Sequence, residues 1–219
     1  MSAASAGLIP STESMTAPIQ VHIEREIEAL LSSLPKPDEL SAEERRGIIA
    51  RYTAVLEGNF IYWMTGAYIA AGSDAARAKI LENLHEEVRD SHPAMLRRFA
   101  LAAQAVPTDS DATAVYDNLT NVRMFIGKLS PVPIVVTMAF FEGFIQRFMA
   151  YLADLARRQG SSEMEYTDVH GVCDVTHTLE LYRALEAEMT LSNGSTPTDR
   201  MFEGVELLRT LIQNVVVNQ

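Results

Sequence analysis

The sequence predicts an all-α protein, on three observations. Apolar residues recur at helical spacing along almost the whole chain. No run of alternating β-branched residues is bounded by hairpin dipeptides. The nine prolines and eleven glycines of the 219 residues are few and sit mainly where helices would begin, bend or end. With 47% hydrophobic residues the composition is that of a globular chain, long enough for one domain with a sizeable core and too short for two ordinary ones.

Seven helices are expected. Met1 to Thr16 is small and polar, without a basic segment or a long apolar run, and reads as a loose leader before a domain over 17–219. The first helix runs from about Pro18 to Ser33 and stops before Pro35 and Pro37, which cannot continue it. The second opens on a capping box, Ser41 to Glu44, and extends to about Ala71, with Gly72 as its stop. A third spans Ser73 to about Val106. Pro93 inside it removes a backbone donor and forces His92 from α geometry, so a kink is expected there. The fourth covers Ser110 to Leu129; Ser130 caps a fifth, with Pro131 in its first turn, that ends at Gly160. The sixth covers Tyr166 to Thr190. Gly194 and Thr196-Pro197 separate it from a last amphipathic helix ending near Val217.

A net charge of −11 with scattered basic residues argues against nucleic acid as a partner, because affinity for phosphate backbones rests on clustered Lys and Arg. One cysteine, Cys173, excludes an internal disulfide and a Cys-based zinc or iron–sulfur site, and fits a reducing compartment, so a cytoplasmic location is expected. No stretch reaches 18 uninterrupted apolar residues, and no membrane span is expected.

The informative polar residues are those that occupy apolar positions of a helical period, since an ionised carboxylate buried alone is very costly. Glu142 shares a stripe with Val135, Met138, Ile145 and Met149. Two readings stand for it: a structural carboxylate paired with an arginine or hydroxyl, or a metal ligand. His170, Asp174 and His177 fall at i, i+4 and i+7, with Leu181 and Ala184 continuing the face. A hydrogen-bonded core histidine is the ordinary explanation of one such residue. Two histidines and an aspartate at this spacing favour a transition-metal site, since imidazole and carboxylate meet on successive turns.

On the third helix the stripe Ile80, Leu84, Glu87, Ser91, Met95, Phe99 turns Glu87 inward and leaves Glu82, Glu86 and Arg89 outside. His92 lies about 140° around an ideal helix from Glu87, and the Pro93 kink is what would bring the two together. The plainer alternative for His85 and His92 puts one near solvent and one in the kink. Glu57 sits in an apolar segment and reads equally as a labile extra ligand or as a hydrogen-bond partner of Tyr52, Tyr62 or Tyr68.

Together these segments resemble the haem-oxygenase-like di-iron oxidases and oxygenases. Their core signature His-x3-Asp-x2-His is matched by His170-Gly-Val-Cys-Asp174-Val-Thr-His177. Their inward Glu is matched by Glu142 in Phe-Phe-Glu-Gly-Phe, and their Glu followed by His by Glu87 and His92. The likeness covers roughly residues 45–190. The segment between Glu and His is shortened here to Val-Arg-Asp-Ser, which bears on the choice between Glu86 and Glu87; the inward stripe selects Glu87. The resemblance implies a single-domain seven-helix bundle of haem-oxygenase-like architecture. It also implies two Fe(II) ions per chain held by Glu87, His92, Glu142, His170, Asp174 and His177; Glu57 stays open as a labile extra ligand outside that matched set.

The implied reaction is O2-dependent oxidation of a small amino-acid-like or amine-like substrate in specialised metabolism, by N-oxygenation or oxidative C–C cleavage. An electron donor is then a further partner, and a homodimer is left open. Arg123, Lys128 and Arg147 are the cations on core-rich helices that would hold a substrate carboxylate. One rival is a ferritin-like di-iron bundle built on Glu57, Glu82, His85, Glu142, Asp174 and His177; it leaves His170 unexplained. A metal-free helical ligand-binding protein is the other.

Overall fold

The computed structural model describes residues 15–192 and 198–217. The leader up to residue 14 and the expected boundary at Gly194 and Thr196-Pro197 lie outside the described residues. Ten helical segments follow in chain order, with no strand among the described residues: α1 (Ala17–Ser32), α2 (Ala42–Leu56), α3 (Asn59–Ala70), α4 (Asp74–Arg89), α5 (His92–Ala102), α6 (Asp109–Ile126), α7 (Pro131–Arg158), α8 (Glu165–Leu191), α9 (Thr198–Met201) and α10 (Glu203–Val216).

The all-helical expectation holds, and the number of helices is corrected. The expected second helix breaks into α2 and α3 at Gly58, whose φ of 135° is open to glycine and disfavoured for residues with a Cβ. The expected third breaks into α4 and α5 at Ser91, in the left-handed region with φ 59°. That break lies two residues before Pro93, which sits in the first turn of α5, where its missing N–H costs nothing. The last expected helix divides into α9 and α10. The capping box at Ser41 and Glu44 is present, with the two reciprocal bonds at 3.2 and 2.7 Å. A second box, Thr108 with Asp111, opens α6.

The long antiparallel pair α7 and α8 forms the centre, joined by the turn at Gly160. Helices α1, α2, α3 and α10 pack on α7, and α4 and α5 pack on α8. Helix α7 is long and apolar enough to cross a membrane by length and composition, but 89% of its most apolar window is buried inside the bundle, which marks it as the core helix. Phe140, Phe144 and Phe148 stack along it at successive i, i+4 positions, with ring centroids 6.4 and 5.0 Å apart. The face of α7 that carries Glu142 and Gly143 meets the inward face of α8, so the polar residues that interrupt that face end deep in the bundle.

Candidate metal centre

The α8 face carries His170, Asp174 and His177, all buried, as the i, i+4, i+7 spacing requires. The last turn of α4 presents Glu87 to them, and α7 presents Glu142. The bend at Ser91 places His92 at the start of α5, buried, with Nδ1 2.7 Å from Glu87 Oε1. A non-glycine residue at positive φ costs on the order of 1–3 kcal/mol, strain that tends to be kept at functional sites. Here it is what brings His92 back over Glu87. The expectation that a bend unites these two residues is met, with the bend at Ser91.

The donor atoms fall into two groups. Glu87, His92 and His170 offer atoms within 4.8 Å of one another, as do Cys173, Asp174 and His177. His177 Nδ1 lies 3.7 Å from both Glu142 Oε1 and Asp174 Oδ1, and its Nε2 lies 2.9 Å from Glu86 Oε2. His170 Nε2 is 3.9 Å from Glu87 Oε1.

Neighbouring groups fix these side chains in place. His170 Nδ1–H donates to the Tyr166 carbonyl at 2.8 Å, which leaves Nε2 with its lone pair toward Glu87. Asn83 donates to Glu142 at 2.9 Å, and the Cys173 thiol to Asp174 Oδ1 at 3.1 Å. Tyr166 in turn shares a 2.8 Å hydroxyl bond with Tyr52 on α2.

The electrostatics are those of an uncompensated site. Glu87, Glu142 and Asp174 are 4%, 2% and 1% exposed, and none is paired with a lysine or arginine among the described residues. Asp174 Oδ2 and His177 Nδ1 are buried without a hydrogen-bond partner. Burial, followed by the charge of Asp174, pushes the Glu142 carboxyl well above the usual carboxylate range. Burial also opposes a charge on His177, but Asp174, Glu142 and Glu86 outweigh it and raise its pKa to about 10. His92 is raised in the same way by Glu87, whereas burial holds His170 below its ordinary value. Buried carboxylates facing imidazoles, with orphaned donor atoms and no fixed cation, fit a divalent metal of the iron or manganese kind.

A family model described as an iron-containing redox enzyme, of haem-oxygenase-like type, matches residues 49–208. The chain belongs to this family of iron-containing redox enzymes. No curated protein matches it. All six residues of the sequence-derived set other than Glu57 lie within the matched segment and come together at the α4–α5–α7–α8 core of this redox enzyme.

Glu57 lies in the matched segment too, but the structure does not bring it to the cluster. As the C-cap of α2 it turns outward to an ion pair with Arg97 of α5 and bonds none of the three tyrosines proposed for it. The ferritin-like set is not assembled either: Glu82 is 59% exposed and pairs with Lys79, and His85 is exposed. The cations proposed for a substrate carboxylate are also engaged elsewhere. Arg123 bonds Asn59, Lys128 pairs with Glu203, and Arg147 pairs with Glu24 and Glu28.

Sequence reasoning weighed Glu86 only as a substitute for Glu87 and set it on the solvated side, whereas a one-residue step around α4 is enough for Glu86 to reach His177 where α4 leans on α8. It missed Asn83, which lies one turn before Glu87 on the same face, and the role of Cys173 beside Asp174.

Protons occupy part of this site in the metal-free protein, and binding must displace them. His177, raised to about 10, holds a proton at neutral pH, and burial shifts the Glu142 carboxyl in the same direction. Anaerobic addition of Fe(II) at pH 7 is therefore expected to release on the order of one proton per chain, with affinity tightening as pH rises from 6 to 8. Potentiometric titration measures this directly. Affinity independent of pH over that range would contradict the protonation scheme.

Proposed function

We propose that the protein is a non-haem di-iron, O2-activating oxidase or oxygenase acting on a small amino-acid-like or amine-like substrate. The observation that carries this reading is the pair of adjoining donor groups around three buried carboxylates without a fixed cation. Glu87, His92 and His170 would hold one iron, and Asp174, His177 and Glu86 the other, with Glu142 reaching toward both. When bound, iron supplies the O2 and electron-transfer chemistry that no side chain here provides.

The protein's own contribution is orientation and exclusion of water. The Tyr166 carbonyl keeps His170 in the tautomer that presents Nε2, and Asn83 holds Glu142. The cavity beside the donors is walled by Leu56, Phe60, Leu96, Phe141 and Ile145 and has a volume of ≈30 Å³. That is room for about two small species and not for an organic substrate. The substrate approaches from a more open recess of ≈290 Å³ that shares Ile61, Glu87 and Pro93 with the cavity. Arg97 borders this recess with Glu57 attached to it, so a cation and an anion stand at its rim. A zwitterion would open that pair by exchange, its carboxylate taking Arg97 and its ammonium Glu57, so that both charges stay compensated. Insertion of one oxygen atom would require external electrons, so a reductant is a further partner; nucleic acid and membrane are not.

Ferrous protein incubated with O2, a reductant and separate panels of amino acids, amines and fatty acids, with O2 uptake and product mass recorded, tests the reading. Product from an amino acid or amine, weakened by Arg97→Met, is the expected result. Turnover of fatty acids alone would reject the substrate class, and O2 uptake no faster than free iron with every panel would reject the oxidase.

A further inference from the structure

A second recess of ≈460 Å³, sharing no wall residue with the metal cavity, opens between the first turns of α2 and α6 and the end of α10. Its polar wall holds Arg51, whose residue surface is 6% exposed. Arg51 Nε donates to the Val215 carbonyl at 2.8 Å, closing one of the free carbonyls at the end of α10. That bond uses one of five donors. The two Nη groups have no carboxylate and no hydrogen-bond acceptor among the described residues. The Nη groups are absent from the buried atoms that lack a partner, so the fork opens on the recess and is free to receive an anion there.

The recess is shaped around that fork. Gly47, one turn earlier on α2, leaves the space that the guanidinium occupies: a Cβ there would stand 2.7 Å from Arg51 Nη1. The neighbouring Arg46 is already spent on Asp111, in a two-pronged pair at 3.1 and 3.2 Å, so Arg51 is the donor left over. Ser110, in the first turn of α6, brings the positive end of that helix to the wall, and Leu40 and Val216 make it partly apolar.

We infer that this recess binds a small organic monocarboxylate with a short apolar body, its carboxylate received by the two Nη groups of Arg51. A planar carboxylate matches the fork. Phosphate fits less well, because Asp111, Glu43 and Glu44 border the same space and repel a dianion more than a monoanion.

Thermal unfolding of the full chain in increasing propionate, at constant ionic strength set with chloride, tests the site; inorganic phosphate is the second probe. Propionate is expected to raise the wild-type melting temperature saturably, with phosphate weaker. Gly47→Ala, which improves helix propensity while displacing the guanidinium, is expected to fold and keep its iron content yet bind propionate about tenfold or more weakly. Arg51→Met should show the same loss, and if it does not fold, Gly47→Ala decides alone. An equal response in wild type and Gly47→Ala, or no saturable response in wild type, overturns the proposal. Tighter binding of phosphate than of propionate overturns the monocarboxylate assignment.

Discussion

His92→Ala and His170→Ala are each expected to lower the iron stoichiometry and abolish reaction of the ferrous protein with O2, while His85→Ala and Glu82→Ala leave both near wild type. Both affected imidazoles are buried against Glu87, 2.7 and 3.9 Å from its Oε1. Removing either opens a coordination position and leaves a buried carboxylate with less compensation. Disturbing only a supporting hydrogen bond around a metal commonly weakens binding 10- to 100-fold, so loss of a direct donor is expected to exceed about 100-fold. Glu57→Ala should retain its iron, since that carboxylate pairs with Arg97 outside the cluster. Its effect belongs to substrate affinity. Anaerobic Fe(II) binding isotherms for the five variants separate these outcomes. If His85 and Glu82 proved essential while His92 and His170 proved dispensable, the ligand set would be wrong although a di-iron protein would survive.

Glu142→Gln is expected to make the metal-free protein more stable and the iron-loaded protein less so. Burial raises the Glu142 carboxyl, with the charge of Asp174 adding to it. A carboxyl whose folded pKa lies above its unfolded value contributes stability that is fully present below the unfolded pKa and is lost as pH rises toward the folded one. At pH 7.5 the wild-type metal-free chain therefore carries this penalty. Glutamine keeps an oxygen for Asn83 and carries no penalty. A gain of roughly 1–3 kcal/mol is the scale for replacing a buried ionisable group by a matched neutral one, at about 2–4 °C of melting temperature per kcal/mol for a chain of this size. Iron at about a thousand times its dissociation constant should stabilise wild type by ~4 kcal/mol and the variant by far less. Melting curves with and without Fe(II) under nitrogen give both numbers. A variant that is less stable without iron and still responds to it would make Glu142 a structural acceptor for Asn83.

The sequence was legible where a period was unambiguous. The His170, Asp174, His177 face and Glu142 could be placed because α8 and α7 are long, unbroken helices whose apolar neighbours fix their rotation. Helix breaks were harder to read. Gly58 interrupts an otherwise helical pattern by a single residue with positive φ, and Ser91 does so without glycine, so neither leaves a strong compositional mark. Glu57 illustrates the consequence: on an unbroken helix it faces the core, and on a helix that ends at Leu56 it swings to Arg97. Glu86 fails for a different reason. A stripe assigns each residue to one side of a lone helix, whereas the cleft between α4 and α8 receives two adjacent glutamates, one for each donor group. Lysines and arginines were the least legible, because long side chains take their partners from whichever element packs beside them.

Under the proposed function, three buried carboxylates that no lysine or arginine pairs among the described residues would hold two irons. The most direct measurement is anaerobic titration of the purified chain with Fe(II), with bound iron counted after removal of the free ion and its environment read by Mössbauer spectroscopy. A plateau at two irons per chain, with nitrogen and oxygen ligation, that falls in the His92→Ala and His170→Ala proteins is the expected result. A plateau at one iron or none, unchanged by either substitution, would contradict it.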